Sequence, residues 1–286
     1  MKPAPFAYHA PRSLDEAVAV LGEVGHDGKV LAGGQSLIPM LSMRLAAPAH
    51  LIDINQVAGL DTVTVTEDAV RVGATVRHRD VERSDEAYAA LPLLRQALLN
   101  VAHPAIRNRG TTVGSIAHAD AAGEMPSIAV LTDAIVEVQG PAGAREISAH
   151  DFFAGPLEIA IGADEVVVAV RFGRFPSGTR TGFTESARRR GDYALAGVGV
   201  ALTCEEGAIR RARAAYVSVT DIPDVLDLTG VLAGATPADL AGRADDLIGA
   251  VRAHVQPESD IHASADYRRM LAGELTRRLV AEVMAR

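Results

Sequence analysis

Two hydrophobic periods alternate along the chain. Ala17, Val20, Leu21 and Val24 recur at helical spacing just after Ser13-Leu14-Asp15-Glu16. This predicts an amphipathic helix opened by a capping box, with Ser13 serving the amide three residues on and Glu16 reaching back. Residues 25–28 end it. A short apolar strand over 29–32 runs into Gly33-Gly34, and a helix follows to about Leu45. Ser36 is its expected N-cap, and Pro39 is tolerated in the first turn. Pro48 breaks that helix, and Leu51-Ile52-Asp53-Ile54 reads as a second strand. Strand, helix and strand in this order predict a small α/β unit.

From Asp61 the period shortens. Residues 62–66 and 69–73 alternate on either side of Glu67-Asp68, which predicts a hairpin. A polar helix over 79–88 and an apolar-rich one over 91–101 follow, then a loop of small residues over 108–123. After Pro126 a short helix runs to Thr132. Strands are expected over 134–138, 146–147 and 165–172. The Gly-, Pro-, Ser- and Arg-rich stretch 173–182 marks a boundary. A second hairpin spans 195–204 and 208–219 around Glu205-Glu206-Gly207, and Thr236-Pro237 opens a helix. In the last helix Tyr267, Leu271, Leu275, Leu279 and Val283 form the expected apolar stripe. Arg268, Arg269, Arg277 and Arg278 fall off it and read as a solvated face.

Composition narrows the class. Of 286 residues, 48% are hydrophobic, enough for a sizeable core, and a charged fraction of 22% does not indicate disorder. A net charge of −8 argues against nucleic acid, which needs a clustered positive face. With Trp absent and aromatics at 4%, a base-stacking platform is not supplied either. No apolar run approaches the ~18 residues of a membrane span. Met1-Lys2-Pro3-Ala4-Pro5 lacks the apolar core of a signal peptide, so a cytoplasmic location is the expectation. Cys204 is the only cysteine. It excludes an internal disulfide, a four-cysteine zinc site and a self-contained iron–sulfur cluster, and its apolar setting reads as core.

Two stretches carry candidate chemistry. Gly33 and Gly34 allow positive φ and close approach of another molecule. A strand–turn–helix of this kind gathers backbone N–H groups at one spot, which suits an anion such as a diphosphate. A plain capping turn between packed elements is the other reading. The second stretch, 107–126, is long for a connection. It offers small residues, hydroxyls and two carboxylates able to accept hydrogen bonds from ribose. His118 and Asp120 have metal-ligand spacing, but two ligands do not make a site. The Gly-x-Gly-x-x-Gly, P-loop and Gly-x-Ser-x-Gly motifs are absent. The residues thus support a nucleotide-like ligand between two glycine turns, and no chemistry.

Taken in order, the motifs resemble a family. They are Pro11-Arg12-Ser13-Leu14-Asp15-Glu16-Ala17, Leu31-Ala32-Gly33-Gly34-Gln35-Ser36-Leu37-Ile38-Pro39, and Met43-Arg44-Leu45. Arg109-Gly110-Thr111 through Pro126, Phe152-Phe153-x-Gly155-Pro156, Ala187-Arg188-Arg189-x-Gly191-Asp192-Tyr193-Ala194-Leu195 and Asp266-Tyr267-Arg268-Arg269 complete the set. Over nearly its whole length the chain resembles the FAD-binding medium subunit of molybdenum hydroxylases, the group of aerobic carbon monoxide dehydrogenase and bacterial xanthine dehydrogenase.

The resemblance implies an α+β fold. A two-part FAD-binding domain of the vanillyl-alcohol-oxidase type would occupy residues 1–58 and 59–175, and a smaller α/β C-terminal domain residues 176–286. It implies FAD as cofactor. The diphosphate would lie between Ala32, Gly33, Gly34, Gln35, Ser36 and Leu37 on one side and Thr111, Gly114 and Ser115 on the other. Glu124 would stand near the ribose or adenine, Tyr193 near the isoalloxazine, and Ala102 would complete the cofactor set. No catalytic side chain and no metal ligand are implied. The implied role is electron transfer from the [2Fe–2S] clusters of a small subunit, through FAD, to an outside acceptor, with the substrate hydroxylated on a molybdopterin-binding large subunit. The assembly would be a dimer of heterotrimers. A stand-alone flavin-binding protein or flavin oxidase of the same fold is the alternative.

The chain departs from the family pattern at three places. Val113 stands where many relatives have glycine, Ala121 where many have proline, and Thr184-Glu185 near a lysine of some relatives. The lone cysteine excludes the subgroup with an extra cluster-binding insertion. The run Arg188-Arg189-Arg190 reads equally as a docking or flavin-edge patch and as a solvated turn.

Overall fold

The computed structural model describes residues 2–286. Three sheets carry the architecture. The first is parallel, in the order β1-β3-β2, with β1 at Ala7–His9, β2 at Gly28–Leu31 and β3 at His50–Asp53. Parallel neighbours need crossovers. The helices Leu14–Val24 and Leu37–Met43 provide them. The first of these buries Ala17, Val18 and Leu21. Ser13 caps it by accepting from the Glu16 amide at 3.2 Å. Glu16 reaches back one residue beyond the capping-box position and accepts from the Arg12 amide at 2.8 Å. β1 has three largely exposed residues, too few to display a period, and the hydrophobic pattern missed it.

The second sheet is antiparallel. It contains β4 (Val63–Val65), β5 (Ala69–Gly73), β6 (Ile135–Gly140), β7 (Gly143–Ser148) and β10 (Val166–Gly173), in the order β4-β5-β10-β6-β7. A small hairpin, β8 (Phe153–Gly155) with β9 (Glu158–Ile159), lies between β7 and β10 in the chain. The expected hairpin around Glu67-Asp68 is β4–β5. The long helix expected over 79–88 is two, His78–Arg83 and Asp85–Ala90. Ser84 ends the first, and its hydroxyl caps the second by accepting from Ala87 N at 3.1 Å. The apolar-rich helix is shorter than expected, at Pro92–Leu98.

The third sheet runs β11-β12-β13-β14: Thr179–Ala187, Ala194–Glu205, Ala208–Val217 and Val225–Asp227. β12 and β13 are the expected second hairpin. β11 takes up the end of the expected boundary stretch. Within it Gly182 lets the last helix approach, since a Cβ there would stand 2.6 Å from Val283 Cγ2. Ala196, Val198, Val200 and Leu202 face one core, while Ala201 and Ala215 join the core of the first two sheets. Burial on both faces explains why β12 reads as a continuous apolar run rather than an alternation.

Helix Ala265–Met284 packs on β11 and β12, and helix Ala244–His254 packs against it. The helix expected to open at Thr236 starts only at Ala244. Before it, Asp239 accepts from the Thr236 amide and hydroxyl, and a 3₁₀ turn spans Leu240–Arg243. In the last helix the buried face runs through Arg268, Ala272, Thr276, Leu279 and Val283, with Tyr267 45% exposed. A strict four-residue spacing drifts about 40° per step around an α-helix. The stripe named from Tyr267 therefore begins on the solvent side and ends in the core. Arg268 is 7% exposed, not part of a solvated face. Cys204 is only half-buried, beside Met284 Sδ at 3.5 Å. Among the described residues no helix is long and apolar enough to cross a membrane.

A two-turn cleft as candidate cofactor site

The first turn leaves β2 at Leu31 and enters the helix Leu37–Met43. Gly34 has φ +72°, a conformation that favours glycine. Gly33 is glycine for another reason. A Cβ there would lie 2.5 Å from the Arg109 carbonyl oxygen, 2.7 Å from Gly110 Cα and 2.8 Å from Thr111 N. Ser36 is not the side-chain cap expected of it: its backbone is already helical and its hydroxyl makes no cap bond. Among the described residues, the backbone N–H groups of Gly33, Gly34, Gln35 and Ser36 find no acceptor in the chain. Gln35 Nε2 donates to the Gly33 carbonyl at 3.2 Å and Asn55 Nδ2 to the Ala32 carbonyl at 2.8 Å. With their carbonyls engaged, these peptides present their N–H groups on the opposite side, because a trans peptide points the two apart.

The second stretch is not a loop throughout. It holds the helix Thr112–His118, capped by Thr111, whose hydroxyl accepts from Gly114 N at 3.2 Å. Small, hydroxyl-bearing residues mask a helix in the sequence because their propensity is low and their caps resemble turns. Gly114 faces the first turn, with its Cβ position 3.9 Å from Ala32 Cβ and in collision with Thr111 Oγ1. Val113 is 1% exposed and belongs to the core. The departure at this position therefore places a side chain in the core and not over the turn.

Ser115 leads toward the third part of the cleft. Its hydroxyl is 3.6 Å from the Cβ position of Gly123, which precedes the helix Glu124–Leu131. The Glu124 carboxyl is pushed up to about 7, by burial first and then by Asp120. Glu185 on β11 is pushed up to about 8 by burial and by Glu124. Its Oε2 is buried with no hydrogen-bond partner. Neither acid takes part in an ion pair among the described residues. Sequence reasoning missed Glu185 except as a departure from the family, because its burial and the charge of Glu124 come from elements distant in the chain.

Ala102 and Tyr193 lie in two further loops. Ala102 has φ 41°, and its carbonyl accepts from Arg107 Nη1 at 3.2 Å. Arg107 is 7% exposed and also binds Glu82 at 2.8 Å, so it braces this corner. The next residue, His103, lies against Gly191 of the Gly-Asp-Tyr loop, where a Cβ would come within 2.5 Å of its ring. Tyr193 is 67% exposed. Its phenol is held above the ordinary value by desolvation and by the charges of Asp120 and Glu124, which ties it electrically to the Glu124 end of the cleft. Beside it opens a cavity of about 810 Å³, bordered by Asp120, Ala122, Tyr193, Leu195, Asp260 and Arg268. Arg188 lines this cavity, and Arg188, Arg189 and Arg190 are all exposed.

The geometry fits a dinucleotide. Unpaired amides on one turn and a second turn in backbone contact with it suit an anion that spans both.

Comparison with known proteins agrees. Residues 4–174 match the family described as the FAD binding domain in molybdopterin dehydrogenase. Residues 181–283 match the CO dehydrogenase flavoprotein C-terminal domain. The chain is 40% identical over 287 residues to the nicotine 6-hydroxylase medium subunit of Paenarthrobacter nicotinovorans, with 100% of each covered. It is 36% identical over 290 residues to the carbon monoxide dehydrogenase medium chain of Hydrogenophaga pseudoflava, covering 100% of this chain and 99% of that one. Among solved structures, reconstituted CO dehydrogenase from Oligotropha carboxidovorans superposes with a TM-score of 0.93 at 35% identity, both chains fully covered at 100%. Quinoline 2-oxidoreductase from Pseudomonas putida 86 gives 0.92 at 35%, covering 100% and 99%. The chain belongs to the FAD-binding medium-subunit family of the molybdenum hydroxylases, the family of the carbon monoxide dehydrogenase medium chain.

Proposed function

We propose that this chain carries electrons from the [2Fe–2S] clusters of a small partner subunit to an external acceptor, while a molybdopterin-binding large subunit oxidises the substrate. The observation that carries this is the pair of apposed turns, with the amides of Gly33 to Ser36 unpaired and Gly33 in backbone contact with Arg109–Thr111. FAD, when bound, supplies the redox chemistry between one-electron clusters and the acceptor. The chain's own part is to hold and orient it. The cofactor set is Ala32, Gly33, Gly34, Gln35, Ser36 and Leu37 with Thr111, Gly114 and Ser115 at the diphosphate. Glu124 serves the ribose or adenine end, Tyr193 the isoalloxazine end and Ala102 the corner braced by Arg107. Residues 1–58, 59–175 and 176–286 act as two cofactor-binding parts and one C-terminal domain. The assembly is a cytoplasmic dimer of heterotrimers.

Co-expression of the chain with an iron–sulfur and a molybdopterin partner, followed by size exclusion and analysis of flavin, iron and molybdenum, tests the reading. A three-subunit particle with all three cofactors, whose flavin is identified by mass as FAD, is the expected result. A chain that stays alone and turns over a substrate with its own flavin would overturn it.

A further inference from the structure

Between the two turns runs a bridge of side chains that backbone packing alone does not require. Asn55 sits in the 3₁₀ turn Ile54–Gln56 after β3. Its Nδ2 donates to the Ala32 carbonyl at 2.8 Å, and its Oδ1 accepts from Arg77 Nη2 at 2.7 Å. Arg77 Nη1 in turn donates to the Arg109 carbonyl at 2.7 Å. A carbonyl of the first turn is thereby linked, through two side chains, to a carbonyl of the second. The anchors are fixed at both ends. Asp53 accepts from Asn55 N at 2.9 Å and from the Tyr8 hydroxyl at 2.6 Å. Arg77 is bridged to Thr111 through the backbone, and His78 N donates to the Gly110 carbonyl at 2.9 Å.

We propose that Asn55 and Arg77 form a positioning strap for the diphosphate, setting the spacing of the two turns and the aim of the Gly33 amide. This strap presupposes a diphosphate held between those turns, as proposed above. A bond that holds the Ala32 carbonyl toward Asn55 turns the Gly33 N–H the other way, since the two groups share one planar trans peptide. The guanidinium suits the second link because its planar fork reaches two acceptors at once. Asn55 is exposed and Arg77 half-buried. Exposed polar contacts of this kind contribute little to global stability. Their effect is therefore expected in cofactor retention rather than in folding. Arg77 as a plain counter-charge to the diphosphate is the competing account, and the variants separate the two.

The test uses the co-expressed complex, with the FAD-to-iron ratio and the rate of FAD release as readouts and the thermal midpoint of the flavin-free complex as control. Asn55→Ala and Arg77→Ala are each expected to release FAD about tenfold faster, equivalent to about 1.4 kcal/mol, with an unchanged midpoint. The double variant is expected to release no faster than the worse single one, because both changes cut the same strap. Asn55→Asp keeps the acceptor for Arg77 but loses the donor to Ala32 and to Asp53 and sets a carboxylate against Asp53, so it releases FAD at least as fast as Asn55→Ala. Arg77→Lys keeps the charge but cannot span both acceptors, so it behaves like Arg77→Ala. Wild-type retention in Arg77→Lys, or additive losses in the double variant, overturn the strap. So does wild-type retention in Asn55→Ala and Arg77→Ala while Gly33→Ala loses FAD, which leaves the two-turn site standing. If Gly33→Ala also keeps its FAD, the two-turn reading itself fails, and the strap with it.

Discussion

Gly33→Ala is the sharpest probe of the cleft. The new Cβ would meet the Arg109 carbonyl oxygen at 2.5 Å, Gly110 Cα at 2.7 Å and Thr111 N at 2.8 Å. Ordinary contact between such atoms begins near about 3.5 Å, so the turns must part by roughly 1 Å. All three obstacles are backbone, and no side chain can swing aside. Overpacking of this kind costs about 1–3 kcal/mol. The consequence for the cofactor is larger than that for the fold. A hydrogen bond of about 2.9 Å that lengthens by roughly 1 Å ceases to be one. Loss of one charge-assisted bond, about 1.5–3 kcal/mol, weakens FAD binding by roughly 10- to 100-fold. Gly143→Ala is the control: it has φ +109° and nothing within 4 Å of its Cβ position, so it is strained but distant from any neighbour. The assay compares the FAD-to-iron ratio of purified complexes, FAD affinity by flavin fluorescence, and thermal midpoints. If Gly33→Ala keeps its flavin, or loses only as much as Gly143→Ala at matched stability, the turns do not grip a diphosphate together.

Three further outcomes follow from other parts of the structure. Glu124 and Glu185 have folded pKa values raised to about 7 and about 8, so the folded state holds protons that the unfolded chain gives up at lower pH. Stability is therefore greatest below the unfolded carboxylate value and falls as pH rises through 7 and 8. Glu185→Gln should flatten that fall and raise the melting midpoint at pH 8.5, and parallel midpoint–pH curves for the two proteins would refute a buried, raised Glu185 carboxyl. Arg268 donates to the Leu195 carbonyl and to Asp260, each at 2.7 Å. Arg268→Ala should cost about 1–3 kcal/mol by leaving the part-buried Leu195 carbonyl unpaired, and a loss under about 0.5 kcal/mol in urea unfolding would return it to the solvated face. Gly182→Ala would place its Cβ 2.8 Å from Leu279 Cδ1 and should destabilise by about 1–3 kcal/mol by overpacking, with the FAD-to-iron ratio unchanged.

Features that depend on neighbours in the chain were legible in the sequence. The capped helix at Ser13, the hairpins around Glu67-Asp68 and Glu206-Gly207, and the strand–turn–helix at Gly33-Gly34 rest on local period and turn chemistry, which act over a few residues. The family motifs, taken in order, carried the cofactor. What failed locally did so where two signals coincide. The helix Thr112–His118 begins with residues that also suit loops, and Ser84 both ends one helix and caps the next. Only the tertiary structure decided the rest. Gly33 is glycine because the segment Arg109–Thr111 packs against it. Val113 is tolerated because its side chain enters the core. Arg268 is buried because the last helix turns a different face to the sheet than its four-residue spacing suggests. Glu185 comes under the charge of Glu124, and Arg77 meets Asn55 and Arg109, only after separate elements have packed. A sequence displays which residues can pair along one helix or strand. Contacts between residues far apart in the chain depend on how the elements are placed in space, and the burial and charge environment of the cleft comes from that placement.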